Sequence, residues 1–289
     1  MTTPLVTVGV PFFDEERHLG PAVRSVLAQS ERNLEILLVD DGSRDGSLAV
    51  ARSFASDPRV RVIADGSRRR LPARLNQIVR EARGTFVARM DADDLSHPRR
   101  LEEQLAVLAG GAVDVVGATA ALLDDDERAF GVIEAAPSPV SEQVALERGI
   151  LPHATIVARR AWFAANPYDE TLTRAEDRDL WCRTWRDTRF GAVPDVRYLV
   201  RVTARDPGFL RGYLDGQRQT RGLFLDRGPR VVGVPRTARI AFASLAKSVA
   251  MRGGHALGLA PWLVRRRGRP PTERELRAVA ETLASAQAP

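Results

Sequence analysis

The 289-residue chain is 44% hydrophobic and 28% charged, a balance that excludes disorder and leaves room for one large α/β domain, alone or with an appendage. Its single cysteine, Cys182, excludes an internal disulfide framework and any zinc site built from several thiolates, and so points to a reducing compartment. The formal charge of +6 invites acidic partners, yet arginine supplies all 43 basic residues except Lys247, and no basic stripe interleaved with aromatics occurs, so nucleic acid is not an expected partner.

Short, β-branched, mostly apolar runs predict strands at 5–11, 34–39, 59–63, 85–90 and 113–118, with the continuous apolarity of strands buried on both faces. Gly9 and Pro11 interrupt the first run and no basic segment precedes it, so no signal peptide is expected and the cytoplasm is the expected location. Between the strands lie helical patterns at 16–29, 45–55, 72–82 and 97–109, the last with Ser96 as N-cap and Pro98 in its first turn. Strand and helix in alternation predict a mostly parallel central sheet flanked by helices. In such sheets ligands bind beyond the carboxyl ends of the strands, where Pro11–Glu16, Asp40–Ser43 and Asp91–Asp94 fall here.

Beyond residue 120 the alternation fades into a mixed lobe. It holds a short helix within 137–152, a strand at 154–158, a Trp-rich helix at 177–187 and a strand at 196–203. From 208 onward the chain is helical and basic, with an amphipathic run at 236–252, a linker at 265–271 and a closing helix whose Thr272 and Glu275 have capping-box spacing. The division expected is 1–207, made of halves 1–120 and 121–207, followed by a basic helical extension, 208–289. No stretch reaches the ~18 uncharged apolar residues that a membrane span requires.

Asp91 and Asp93 stand in D-x-D spacing at a strand end, suited to a hard divalent cation that takes its remaining oxygens from phosphates; Asp94 reads equally as a helix cap. Asp41, in "VDDGS", is either ordinary turn chemistry or an acceptor for a base N–H or a ribose hydroxyl.

Taken together and in order, "VTVGVPFFDEERHL", "LEILLVDDGSRDGS", "LNQIVREARGTFVARMDADDLSHPRRLEEQ" and "AEDRDLWCR" resemble the motifs of family 2 glycosyltransferases of the GT-A fold, over about residues 5–203. The resemblance implies a base pocket walled by Pro11, Phe12 and Phe13, with Asp14 or Glu15 beside the nucleotide and Asp41 on the uracil or ribose. It places Asp91 and Asp93 at the pyrophosphate with Mg²⁺ or Mn²⁺, Asp93 as the more direct ligand, and Arg70 and Arg74 as candidate phosphate or base contacts beside Arg68 and Arg69. Asn76 matches a position the family often uses, or is simply a polar helix residue.

The same resemblance makes Asp177 the base of an inverting transfer, Glu176 an acceptor-positioning group, Trp181 a surface for a sugar ring and His153 a lining of the acceptor cleft, with a structural role open for the last two. Two departures stand out: Asp14 occupies a usual Asn position, and "QRQTRG" at 217–222 lacks the Trp of processive synthases. The second favours transfer of a single sugar. The implied reaction moves a sugar from a nucleotide-diphosphate donor, a UDP-sugar by preference, to a glycan or lipid-linked acceptor in cell-surface polysaccharide or glycolipid synthesis.

A haloacid-dehalogenase-type hydrolase does not fit either Asp motif, and a nucleotidyltransferase would need a glycine-rich basic loop where "FFDEER" stands. A non-catalytic sugar-nucleotide binding module would have no use for Asp177. The basic run 236–267 is consistent with a helix on an anionic membrane surface, hence a peripheral position at the inner face of the plasma membrane, or with packing on the catalytic domain.

Overall fold

The computed structural model describes residues 5–135, 140–205, 208–266 and 268–287. Residues 137–139 of the proline-flanked segment, the boundary at 207 and Arg267 of the linker lie outside them. The first half runs β1 (Val6–Phe12), α1 (Leu19–Leu27), β2 (Leu34–Asp40), α2 (Ser47–Ser53), β3 (Val60–Ala64), α3 (Arg70–Glu81) and β4 (Phe86–Arg89). It continues with β5 (Leu95–Ser96), α4 (Arg100–Ala109), β6 (Val115–Leu123), β7 (Ala129–Ile133), α5 (Glu142–Glu147) and a 3₁₀ turn at His153–Thr155. The remainder is β8 (Val157–Arg159), α6 (Arg160–Ala165), α7 (Glu176–Thr184), β9 (Phe190–Arg201), α8 (Phe209–Val231), α9 (Val234–Ala256), α10 (Ala260–Val264) and α11 (Glu273–Gln287).

One nine-stranded sheet runs β3-β2-β1-β4-β8-β6-β9-β5, with β7 beside β6. Pairing is parallel among β3, β2, β1 and β4 and again between β6 and β9. The strands β8, β5 and β7 run antiparallel to their neighbours, so the sheet is mixed beyond β4. Every residue of β1 and β2 is buried because helices cover both faces. In β2, Ile36 and Leu38 pack with Val23 and Val26 of α1, while Leu37 and Val39 pack with Leu75 and Ile78 of α3.

Ser96 does not cap α4. It pairs with Tyr198 as part of β5, and α4 begins at Arg100 without a side-chain cap. The strand β7 was not expected: Asp124 accepts from the N–H groups of Asp126 and Arg128, turning an acidic run into a hairpin. The strand β9 begins six residues earlier than its apolar pattern suggests, and its register against β6 shifts near Pro194, which has no N–H for the ladder.

The C-terminal region divides in two. The helices α8 and α9 form an antiparallel hairpin, with Gly228 against Thr237 and Gln217 bonded to Ser244. The helix α11 returns to the sheet, where Val279 and Ala286 pack against Leu95, Ala121 and Leu199 and Arg24 Nε donates to the Ala286 carbonyl at 2.9 Å. Its capping box forms as spaced, with Thr272 N donating to Glu275 at 2.7 Å.

At Gly84 an added Cβ would stand 2.5 Å from Thr7 N and 2.8 Å from the Val6 carbonyl carbon, both backbone atoms of β1 that cannot swing aside. Gly84→Ala is therefore expected to destabilise the chain by about 1–3 kcal/mol, read as a lower urea midpoint; an unchanged midpoint would show that the β1–β4 edge is looser than described.

Candidate functional site

Parallel register brings the ends of β1, β2 and β4 together, since Phe12 is level with Asp40 and Gly9 with Arg89. Three loops leave that edge. In the first, Asp14 lies in the left-handed region at φ 53, which Asp and Asn tolerate, and its Oδ1 accepts from Arg44 N at 2.7 Å. Glu15 N donates to Ser47 Oγ at 2.7 Å, and the Glu15 carboxylate stands 3.3 Å from His18 Nδ1.

In the second loop Asp41 reaches across to α3, whose own N-cap residue, Arg69, offers no side-chain cap. The Asp41 carboxylate accepts from the N–H groups of Arg69 and Arg70 at 2.7 and 3.0 Å and from Arg74 Nε at 3.0 Å. Arg74 is fully buried, its other donors spent on Asp65, Gln77 and the Ser67 carbonyl. Arg74 thus has nothing left to offer a ligand and acts as an internal brace, contrary to the expected phosphate contact. Arg70 is exposed, and Arg68 lays its guanidinium 3.3 Å from the centroid of the half-buried Phe13 ring.

The third loop holds the acidic cluster. Carboxylate oxygens of Asp91, Asp93 and Asp94 lie within 4.8 Å of one another. Arg89 forks onto Asp91 at 3.0 and 2.8 Å, and Asp91 N donates to the Tyr198 hydroxyl at 3.0 Å. Arg201 N donates to Asp94 at 2.9 Å and Arg201 Nη1 to the Asp93 carbonyl at 2.7 Å. Asp94 is therefore tied to β9 and is not a helix cap. Burial, with the charges of Asp91 and Glu15, pushes the Asp93 carboxyl up to about 7. Burial and the charges of Asp93 and Asp91 hold Asp94 well above its ordinary range. Three crowded oxygen donors, two of them resisting ionisation through burial and mutual repulsion, form a set that a hard dication fits.

Near this cluster, whose Asp91 charge acts on it, Glu176 starts α7 after Ala175 in the left-handed region at φ 63. Burial, with the charge of Asp177, pushes the Glu176 carboxyl up to about 7. His153 Nδ1 lies 3.8 Å from Glu176, and His153 Nε2 lies 2.8 Å from the Tyr168 hydroxyl. Burial and the Arg89 charge hold His153 neutral, well below its ordinary pKa. Asp177 is half-buried, with one oxygen accepting from Arg178 N at 2.8 Å. The charges of Glu176, Asp177 and Asp91 all act on the buried Tyr168, so both acidic groups lie near it.

Other expected residues serve the scaffold. Pro11 and Phe12 are buried in β1, Phe12 inside the core at 2% exposure, so of the three only Phe13 can face a base. Asn76 donates to the Tyr168 carbonyl and Glu170 and accepts from Tyr168 N, all at 2.9 Å, which fastens the 166–170 loop. Trp181 is fully buried, edge-on to His153 and Phe190, and offers no face to a sugar ring. Sequence reasoning missed Arg89, Tyr168, Tyr198 and Arg201. A signal existed for Arg89 alone, as a cation in an otherwise apolar buried strand, beside the cluster.

The sequence profile described as Glycosyl transferase family 2 matches residues 7–158. EpsE of Bacillus subtilis (strain 168), named as a glycosyltransferase, is 36% identical over 191 residues, 64% of this chain and 68% of that protein. WfgD of Escherichia coli, named a UDP-Glc:α-D-GlcNAc-diphosphoundecaprenol β-1,3-glucosyltransferase, is 23% identical over 65% of this chain and 73% of its own length. Among solved structures, residues 1–349 of S. aureus TarS in complex with UDP-GlcNAc match with a TM-score of 0.59 at 19% identity, over 76% of this chain and 66% of that one. The mannosyltransferase PcManGT from Pyrobaculum calidifontis, in complex with GDP-Man and Mn²⁺, matches with a TM-score of 0.60 at 20% identity, over 99% and 86%. At these identities the structural matches establish the shared GT-A fold.

The folded chain holds a proton on Glu176 between its ordinary 4.5 and about 7 that the unfolded chain has released. The resulting stability is complete below about pH 4.5 and is lost as pH rises through about 7. Glu176→Gln removes this slope, so from about pH 4 to pH 8 its unfolding free energy should gain on wild type by about 2–3 kcal/mol. Urea titrations at both pH values measure it, and a gap independent of pH contradicts the burial assigned to this carboxyl.

Proposed function

The chain belongs to glycosyl transferase family 2, and from that premise we propose that it moves a single sugar, with inversion, from a nucleotide-diphosphate donor to an acceptor hydroxyl. The observation that carries this is the nearness of two acidic groups to one buried tyrosine: the charges of Asp91, in the Asp91–Asp93–Asp94 cluster beyond β4, and of Asp177, at the start of α7, both act on Tyr168. Asp91 and Asp93 would hold Mg²⁺ or Mn²⁺, which supplies charge neutralisation to the leaving diphosphate. The Arg89 fork leaves each Asp91 oxygen with a further lone pair for that purpose.

On the acceptor side, Asp177 takes the hydroxyl proton as the acceptor oxygen bonds to the anomeric carbon. The bond from that carbon to the diphosphate oxygen breaks on the opposite face, and the nucleoside diphosphate leaves with the electron pair. Glu176, seated on His153, orients the acceptor, and because near neutrality it retains much of its proton it can donate to an acceptor oxygen. Asp41 retains capacity on Oδ2 for a base or ribose group, beside Phe13 and the exposed Arg68 and Arg70.

UDP is the preferred donor nucleotide: TarS was solved with UDP-GlcNAc, and the name of WfgD specifies UDP-Glc. The WfgD name also specifies a diphosphoundecaprenol acceptor, which supports a glycan or lipid-linked acceptor in cell-surface polysaccharide or glycolipid synthesis. A cytoplasmic enzyme held peripherally at the inner face of the plasma membrane suits such an acceptor. We assign residues 1–207 to catalysis, with nucleotide and acceptor halves meeting near 120, and count α11 with them because it packs on the sheet. Single transfer suits the "QRQTRG" run, whose Gln219 is spent on the Thr173 and Arg174 N–H groups.

UDP-sugars with Mn²⁺ should raise the melting temperature, and Asp93→Asn should abolish the metal-dependent part of that shift; no shift with UDP-, GDP- or dTDP-sugars refutes the donor assignment. Asp177→Asn should retain the shift while transfer falls by about 10²–10⁴-fold. Unimpaired transfer in that variant removes Asp177 as the base.

A further inference from the structure

The helix α9 buries the wrong side of itself for a helix that merely docks on a soluble core. The positions it turns inward are Thr237, Ser248, Met251 and Gly254, mostly small or hydroxylic, and Ser244 bonds to Gln217 of α8. Ile240 and Met251 pack inward, but four other large apolar residues point outward: Val234 is 67% exposed, Phe242 73%, Leu245 50% and Val249 63%. Phe242, Leu245 and Val249 recur at three and four residues and so form one stripe. Leu257, Leu259 and Trp262 extend the apolar surface around the corner into α10.

Charge is concentrated on the same element. Residues 208–266 hold eleven arginine or lysine side chains against Asp215 and Asp226, an excess larger than the +6 of the whole chain, so the rest of the protein is net negative. Arg239, three residues before Phe242, and Arg252, three after Val249, adjoin the stripe, exposed and without an acidic partner among the described residues. Arg266 lies over the Trp262 ring at 4.1 Å. A second copy of this face would meet it with like charge, whereas a surface of phosphate headgroups over acyl chains complements both the cations and the stripe. Among the described residues no helix is long and apolar enough to cross a membrane, so the contact is interfacial.

We propose that the outer face of α9, with the α9–α10 corner, is a docking surface for a bilayer rich in anionic phospholipid. Phe242, Leu245 and Val249 enter the boundary between headgroups and acyl chains, and Arg239 and Arg252 meet lipid phosphates. The surface is coupled to the acceptor side through α8: Gln219 accepts from Thr173 N and Arg174 N at 3.1 and 2.8 Å, and Arg227 pairs with Asp179 of α7 at 3.1 Å. This deepens the lipid-linked acceptor reading on which it rests for its biological sense. The binding itself needs neither donor nor acceptor.

The test is sedimentation of the full chain with vesicles of phosphatidylcholine alone or of phosphatidylcholine mixed with phosphatidylglycerol. The chain should sediment with the mixed vesicles and remain largely in solution with the neutral ones. Phe242→Ser with Leu245→Ser, and separately Arg239→Glu with Arg252→Glu, should each weaken binding by about tenfold or more. Melting temperature and the UDP-sugar shift should stay unchanged in both. Phe242→Trp should bind as wild type, with emission quenched by brominated acyl chains. Wild type left in solution with the mixed vesicles overturns the proposal, as does undiminished binding of either double variant. A solution dimer that Phe242→Ser with Leu245→Ser makes monomeric also overturns it, giving the face to a second copy. Vesicle binding without any sugar-nucleotide shift would sink the transfer reading and leave this surface standing.

Discussion

Three carboxylates at the end of one strand repel each other, and much of the surrounding molecule exists to hold them there. Arg89, itself buried, forks onto Asp91, while Tyr198 and Arg201 reach in from β9 to bind the backbone of Asp91 and the side chain of Asp94. Burial of an arginine is tolerable only against a carboxylate, and burial of a carboxylate only against donors or a cation. Neither half of the arrangement is stable alone. Burial and the repulsion that remains, which together raise the Asp93 and Asp94 carboxyls, make the cluster a place for a dication.

The same constraint organises the acceptor side. The Arg89 charge acts on Asp91, His153, Tyr168 and Glu176, so one buried cation is felt by both acidic groups. His153 stays neutral beside it and ties Tyr168 to Glu176. Asn76 holds the Tyr168 loop from α3, and Asp41 holds the start of α3 from β2. The nucleotide loops and the acceptor helix are thereby linked through buried polar contacts rather than through apolar packing alone, which limits their relative freedom.

The motifs "DDGS" and "DADD" and the alternation of strand and helix were legible because they depend on local rules: apolar runs, turn residues and D-x-D spacing. The strands β1 to β4 fall close to their expected places for that reason. The strand β7, the early start of β9 and the reassignment of Ser96 from cap to strand were not legible, because each depends on a partner strand far along the chain. Arg74 and Trp181 illustrate the same limit at the site. Residue type marked both as ligand-facing, but a guanidinium is equally served by internal carboxylates and an indole by the core.

The sequence by itself determined the family, the order of the elements and which acidic residues stand at strand ends, since these follow from periodicity and motif within a few dozen residues. Only the tertiary structure decided their surroundings: Asp91, Asp93 and Asp94 gather at one point, Asp177 lies near Tyr168, and Asp41 is largely consumed by α3. It also decided that α9 turns Phe242 and Val249 outward and α11 turns Val279 inward, although both helices carry apolar residues at helical spacing. The physical reason is that periodicity defines a face, while the neighbour that face meets is set by contacts between residues distant in the chain.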